Sequence, residues 1–171
     1  PDLGHDVERI RAVRDVIGPD RRLMIDANQR WTLEQAERAV GELAAFDLAW
    51  IEEPLRADDL AGHVALRDRI EVPVALGENL HTRYRFAEFI DAGAVSIVQP
   101  NAVRVGGITP FLEIADLAED RGVDLAPHLL LELSAQLALA LPGDHLVESV
   151  EDASFEALGA LASPSPVAVT G

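Results

Sequence analysis

Six short apolar runs, each closing on a polar residue and each followed by a turn and a helix-like segment, recur along this chain at a nearly constant interval. They are Leu23-Met24-Ile25-Asp26, Ala49-Trp50-Ile51-Glu52, Val74-Ala75-Leu76-Gly77-Glu78, Ser96-Ile97-Val98-Gln99-Pro100-Asn101, Val123-Asp124-Leu125-Ala126-Pro127-His128 and His145-Leu146-Val147-Glu148. Their closing residues are 26, 26, 23, 27 and 20 positions apart. That interval holds one strand, one helix and two short loops. Continuous apolar runs of this length read as parallel strands buried on both faces, and the whole reads as a βα repeat.

The helix signals fall between the runs. Thr32 with Gln35 forms a capping box, and Thr109 before Pro110 places a cap and an N-terminal proline. Leu33, Ala36, Val40 and Leu43 make one apolar stripe; Phe111, Ile114, Ala115 and Ala118 make another that stops at Gly122. A first helix near Asp6 to Ile17 carries Val7, Ile10, Val13 and Ile17 and has no strand before it, so the chain is expected to begin in the middle of a unit. A Rossmann sheet calls for a glycine-rich phosphate turn after its first strand, which Asp26-Ala27-Asn28-Gln29 does not supply. In a (β/α) barrel, polar residues at the strand ends converge on one mouth, and six polar ends suit that better. Eight strands are usual, so this reading makes residues 1–150 a partial barrel that starts after the second strand and covers about the last six. Residues 151–171, rich in Ala, Ser and Pro, are expected to pack over the barrel or toward another domain.

Composition narrows the chemistry. Thirty acidic residues against 14 arginines give a net charge of −16 over 171 residues, which disfavours nucleic acid and anionic membrane as partners. The absence of cysteine and lysine excludes thiolate and Schiff-base chemistry from this stretch, so any base in it is His, Asp or Glu. No apolar run reaches the roughly 18 residues of a membrane span, and Pro1-Asp2-Leu3-Gly4 is not a signal peptide, so a soluble, cytoplasmic protein is expected.

Asp26, Glu52 and Glu78 end three consecutive runs. In a barrel they would point into one mouth, where three like charges repel unless a hard divalent cation such as Mg²⁺ takes their oxygens. Glu53 would face the other side of its strand and serve as a supporting or ion-pairing acid.

Asp26-Ala27-Asn28-Gln29, Trp50-Ile51-Glu52-Glu53-Pro54, Gly77-Glu78-Asn79, Val105-Gly106-Gly107-Ile108-Thr109 and Pro127-His128-Leu129, in that order, resemble the mandelate racemase and muconate lactonizing enzyme branch of the enolase superfamily. The resemblance covers nearly the whole chain. It implies a modified (β/α)₇β barrel with an α+β capping domain, Mg²⁺ on Asp26, Glu52 and Glu78, and abstraction of a proton α to a carboxylate. It marks His128 as an acid or base, normally paired with an Asp at the preceding strand end, where this chain has Asn101. It also implies a Lys-x-Lys pair just ahead of Pro1, and the lack of a later lysine points to the His-based, mandelate racemase-like subgroup. Glu148 matches an acid that donates a hydrogen bond to the substrate carboxylate. Asn28, Asn79, His81, Arg83 and Arg104 are candidates for substrate contact, while His5, His63 and His145 are expected at the surface.

The function implied is an acid-sugar dehydratase working through an enediolate. A 2-hydroxy acid racemase or epimerase of the same family is an alternative, and a non-catalytic barrel remnant is another. The partners implied are a small carboxylate substrate and further copies of the chain.

Overall fold

A computed structural model describes residues 3–150 and 152–167; of the closing segment 151–171, residue 151 and residues 168–171 lie outside the described part. Its elements alternate as the repeat requires: α1 (Leu3–Ile17), β1 (Leu23–Asp26), α2 (Leu33–Leu43), a 3-10 turn (Ala44–Phe46), β2 (Leu48–Glu52), α3 (Leu60–Arg67), β3 (Val74–Leu76), α4 (Arg83–Asp91), β4 (Ile97–Val98), α5 (Ile108–Arg121), β5 (Asp124–Leu125) and α6 (Leu131–Ala140). The fold is α/β. Two compact units are present, one of residues 1–76 with 89–96, the other of residues 77–88 with 97–171. Among the described residues no helix is long and apolar enough to cross a membrane.

In the first unit β1, β2 and β3 run parallel. A bulge between Leu23 and Met24 adjusts the register so that Ile25 pairs with Ile51 and Asp26 with Glu52. β2 continues onto β3 through Ile51 with Val74 and Glu52 with Ala75. The capping box starts α2 as the sequence requires, with the Gln35 N–H donating to Thr32 Oγ1 at 3.3 Å and the Thr32 N–H to Gln35 Oε1 at 2.9 Å. α2 then buries Ala36, Ala39, Val40 and Leu43. Leu43 joins Leu23, Phe46 and Leu48 in a cluster against which Val7, Ile10 and Ile17 of α1 pack. Val13, read as part of that stripe, is instead exposed, because the helix turns its position away from the cluster.

His63 corrects the reading that placed it at the surface. It is fully buried on α3, edge-on to Phe89 at 5.6 Å between ring centroids. Nδ1 lies 2.8 Å from the Asp59 carbonyl, while Nε2 has no hydrogen-bond partner among the described residues. Burial holds the imidazole below its ordinary range, opposed by the Asp59 carbonyl bond and the Asp59 charge. Above about pH 6.5, the ordinary value for histidine, the ring is neutral whether the chain is folded or not, and it adds no pH dependence. Below that, the unfolded chain takes up a proton that the folded ring resists, so stability falls until the lowered folded pKa is reached. Urea unfolding of wild type and His63→Leu over this range checks the point. The wild type should lose stability on acidification from this source and the variant should not; parallel curves would exclude His63 as the cause.

In the second unit β4 and β5 pair in parallel, Ile97 with Asp124 and Val98 with Leu125. Both strands have only two residues. Asn101 and His128 therefore lie three residues past their strands, in loops that stay aligned because the Ala126 N–H donates to the Val98 carbonyl and the His128 N–H to the Pro100 carbonyl. The expected sixth strand is not formed. Residues 145–148 are not assigned to a strand; the Glu148 N–H donates to the Pro127 carbonyl at 3.1 Å and the His145 ring lies against the carbonyls of Leu125 and Pro142.

α5 starts at Ile108 with Gly107 as its cap, two residues before the expected cap at Thr109. Pro110 is still within the first turn, where its missing N–H costs nothing. The helix ends on Gly122 in the left-handed conformation, as its sequence indicates. Beyond α6, the Glu132 carboxylate accepts the N–H groups of Phe155 at 3.0 Å and Glu156 at 3.2 Å, tying the closing segment to this unit.

Candidate active site

Asp26 and Glu52 are the last residues of neighbouring parallel strands and register partners. Side chains alternate across a sheet, so partners at equal height leave from the same face. The loop after β1 is shaped to serve Asp26. Asn28 and Gln29 both have positive φ, 47° and 60°, which folds the chain back so that the Asn28 N–H donates to Asp26 Oδ1 at 2.8 Å and the Asn28 amide to Oδ2. Asn28 thus orients Asp26.

Gln29, to which sequence reasoning assigns no role, joins the loops after β1 and β2. Its Nε2 donates to Glu53 Oε2 at 3.0 Å, its Oε1 accepts the Ala57 N–H at 2.9 Å, and its N–H donates to the Glu53 carbonyl. Glu53 is 1% exposed, which makes it an internal support for the loop that follows Glu52. Its own φ of 39° is a conformation that side chains rarely take and that surrounding bonds must impose.

The second unit gathers Glu78, Asn101, Arg104, His128 and Glu148. Glu78 lies in the turn after Gly77, whose φ of 151° and tight seat against the Gln99 backbone, 2.7 Å from where a Cβ would be, leave room only for glycine. His128 Nε2 is 2.6 Å from Glu78 Oε2 and 3.4 Å from Glu148 Oε2. Arg104 Nη1 donates to the Glu78 carbonyl at 2.8 Å and to Oε2 at 3.2 Å, and Asn79 Nδ2 donates to Oε1 at 3.0 Å. The hydrogen bond from His128 is the main reason that the Glu78 carboxyl sits below the ordinary carboxylate range; burial opposes it and the Arg104 guanidinium adds to it. Asn101, 4% exposed, and His128, 5% exposed, meet at 3.2 Å between Nδ2 and Nδ1.

The weaker candidates separate. Arg104 and Asn79 belong to the Glu78 cluster. Arg83 turns to α5, with Nε 3.2 Å from Glu113 Oε2 and its guanidinium over the Tyr84 ring. His81 is exposed, as is His5, whereas His145 is half-buried between the carbonyls of Leu125 and Pro142. Gln99, also without an assigned role, is 2% exposed and its Oε1 has no partner among the described residues. Its signal in the sequence is a polar residue inside the fourth apolar run, two positions before the closing Asn101. Among the described residues no three His, Asp or Glu side chains are already spaced as a metal cage.

The enolase C-terminal domain-like family model matches residues 1–171, the full chain. The chain belongs to the enolase superfamily. Within this superfamily it is 42% identical over 151 residues to the L-talarate/galactarate dehydratase of Salmonella typhimurium, covering 88% of this chain and 38% of that protein. It is 40% identical over 142 residues to the 3,6-anhydro-alpha-L-galactonate cycloisomerase of Streptomyces coelicolor, covering 83% and 39%. Among solved structures, L-talarate dehydratase from Polaromonas sp. JS666 complexed with Mg and L-glucarate superposes with a TM-score of 0.84 at 45% identity, over 88% of this chain and 42% of that one. A racemase from Streptomyces coelicolor A3(2) with bound magnesium gives 0.85 at 39% identity, over 87% and 42%. The chain thus spans about two fifths of the length of these enolase-superfamily relatives and carries part of their C-terminal barrel domain. Enzymes of this superfamily with bound Mg²⁺ are its structural neighbours.

Proposed function

We propose that the protein is a Mg²⁺-dependent acid-sugar dehydratase that removes the proton α to a carboxylate and expels a β-hydroxyl through an enediolate. The observation that carries this reading is the Glu78 cluster. A buried imidazole backed by Asn101 presents Nε2 to the Glu78 and Glu148 carboxylates, which brings a proton carrier and two acids together in the segments that follow the strands. The 42% identity to a talarate/galactarate dehydratase supports the choice of substrate class.

Asp26, Glu52 and Glu78 are the proposed holders of Mg²⁺. The pair at the ends of β1 and β2 suits a hard cation, since both are carboxylates at matched height and Asn28 fixes the orientation of Asp26. Glu78, two residues past the end of β3, is assigned as third ligand by the family resemblance. When bound, the cation neutralises charge that develops on the substrate carboxylate as the α-proton leaves. His128 faces the reacting atoms through Nε2, Arg104 and Asn79 hold Glu78 in place, and Glu148 lies beside Glu78 at the same Nε2 end of the imidazole.

Incubating the intact protein with Mg²⁺ and galactarate or L-talarate tests the reading. Formation of a 2-keto-3-deoxy acid, dependent on Mg²⁺, is the expected result. A racemase or epimerase, the reading that the Streptomyces coelicolor neighbour favours, would instead wash deuterium from D₂O into the α-position without forming keto acid. If neither product nor exchange occurs across a panel of sugar acids, the chain is a non-catalytic member.

A further inference from the structure

Asn101 has three hydrogen-bonding neighbours that fix which way its amide faces. The N–H groups of Val103 and Arg104 both donate to Oδ1, each at 3.1 Å. Backbone N–H groups only donate, so the group facing them must be the carbonyl oxygen. Nδ2 is left on the opposite side, where it donates to His128 Nδ1 at 3.2 Å and reaches the His128 carbonyl at 3.4 Å. Turning the amide over would set an NH₂ against two N–H groups inside a buried cluster. That arrangement loses the two bonds to Oδ1 and strands their donors, each a cost of about 1–3 kcal/mol.

A neutral imidazole carries one proton. Because Asn101 donates to Nδ1, that nitrogen must offer its lone pair, and the proton belongs on Nε2. The other end of the ring agrees, since among the described residues Nε2 lies 2.6 Å from Glu78 Oε2 and 3.4 Å from Glu148 Oε2, both of which accept. An aspartate at position 101 would have the opposite effect. It would accept a proton held on Nδ1 and so no longer confine the proton to Nε2.

We infer that Asn101 is a positioning residue that locks the proton of His128 on Nε2, so that the ring acts on substrate as a fixed hydrogen-bond donor to oxygen rather than as the base that removes the α-proton. The atom opposite Nε2 in the complex is then a substrate oxygen, of a carboxylate or of the departing hydroxyl, and the α-proton goes to a different group. Such a donor is effective where negative charge develops, because it is already oriented and need not reorganise. The inference deepens the dehydratase reading and takes from it only that His128 faces substrate.

Two-bond ¹⁵N–¹H spectra of the intact protein labelled at histidine nitrogens, recorded without Mg²⁺ or substrate at a pH well above the ordinary imidazole value of about 6.5, test it. Loss of a signal set in His128→Asn identifies the ring. Wild type should show an unprotonated, pyridine-type Nδ1 and a protonated, pyrrole-type Nε2. In Asn101→Asp the Nδ1 signal should become protonated and pyrrole-type, since one carboxylate oxygen can keep the Val103 and Arg104 N–H groups while the other accepts from Nδ1. A wild-type ring protonated at Nδ1, or one with two averaged shifts, overturns the inference, as does a variant spectrum identical to wild type. Should the variant not fold, the wild-type spectrum decides alone. No turnover is needed, so absence of dehydratase activity would remove the functional reading and leave the tautomer standing or falling on its own.

Discussion

Replacing Glu52 with Gln is expected to lower Mg²⁺ affinity by more than the roughly 10- to 100-fold that loss of an outer hydrogen-bond partner costs at a metal site, and to abolish turnover. The substitution keeps shape and removes one negative charge. Glu52 ends β2 as the register partner of Asp26, so the amide would sit at the same height with a neutral oxygen and an NH₂ that repels a cation. Titration calorimetry of wild type and variant with Mg²⁺ measures the loss, and thermal unfolding without metal checks that the fold survives. Unchanged Mg²⁺ affinity in the Gln variant would remove Glu52 from the ligand set.

His128→Asn should reduce kcat on the order of 10²–10³, the range for losing one oriented donor to a developing oxyanion. Mg²⁺ affinity should hold or improve. His128 and Arg104 both contact Glu78 Oε2, so deleting the imidazole removes one competitor for a carboxylate oxygen that a cation can use. The two effects separate His128 from the acids in one experiment: the Glu52 variant loses metal and turnover together, the His128 variant turnover alone. A His128 variant with wild-type kcat would place the ring outside the reaction.

Much of the fold was legible because its cause is local. An apolar run buried on both faces needs no information beyond its own residues, and neither does a cap such as Thr32 with Gln35 or a stop such as Gly122. The errors have physical causes as well. Residues 145–148 look like a strand by composition, but a strand exists only where a neighbour supplies a ladder, and among the described residues the backbone here offers a single bond, to Pro127. His63 looks like a surface histidine until α3 turns it toward Phe89, a choice made by packing and not by its neighbours in sequence.

The candidate site divides along the same line. The acids Asp26, Glu52 and Glu78, with Asn101, His128 and Glu148, stand out in the sequence by their period, since each closes an apolar run that must end where water begins. Their functional arrangement does not. That Gln29 bridges to Glu53, 24 residues away, and that Asn101 turns its amide NH₂ to His128, 27 residues away, depends on which backbone N–H groups the folded loops bring within reach. Sequence by itself determined the α/β repeat, the candidate residues and the family, because burial period and strand-end polarity are properties of short segments. Only the tertiary structure decided which atom of Asn101 faces the imidazole and hence which nitrogen of His128 holds the proton, because an amide has no preferred direction until its partners, remote in the chain, are in place.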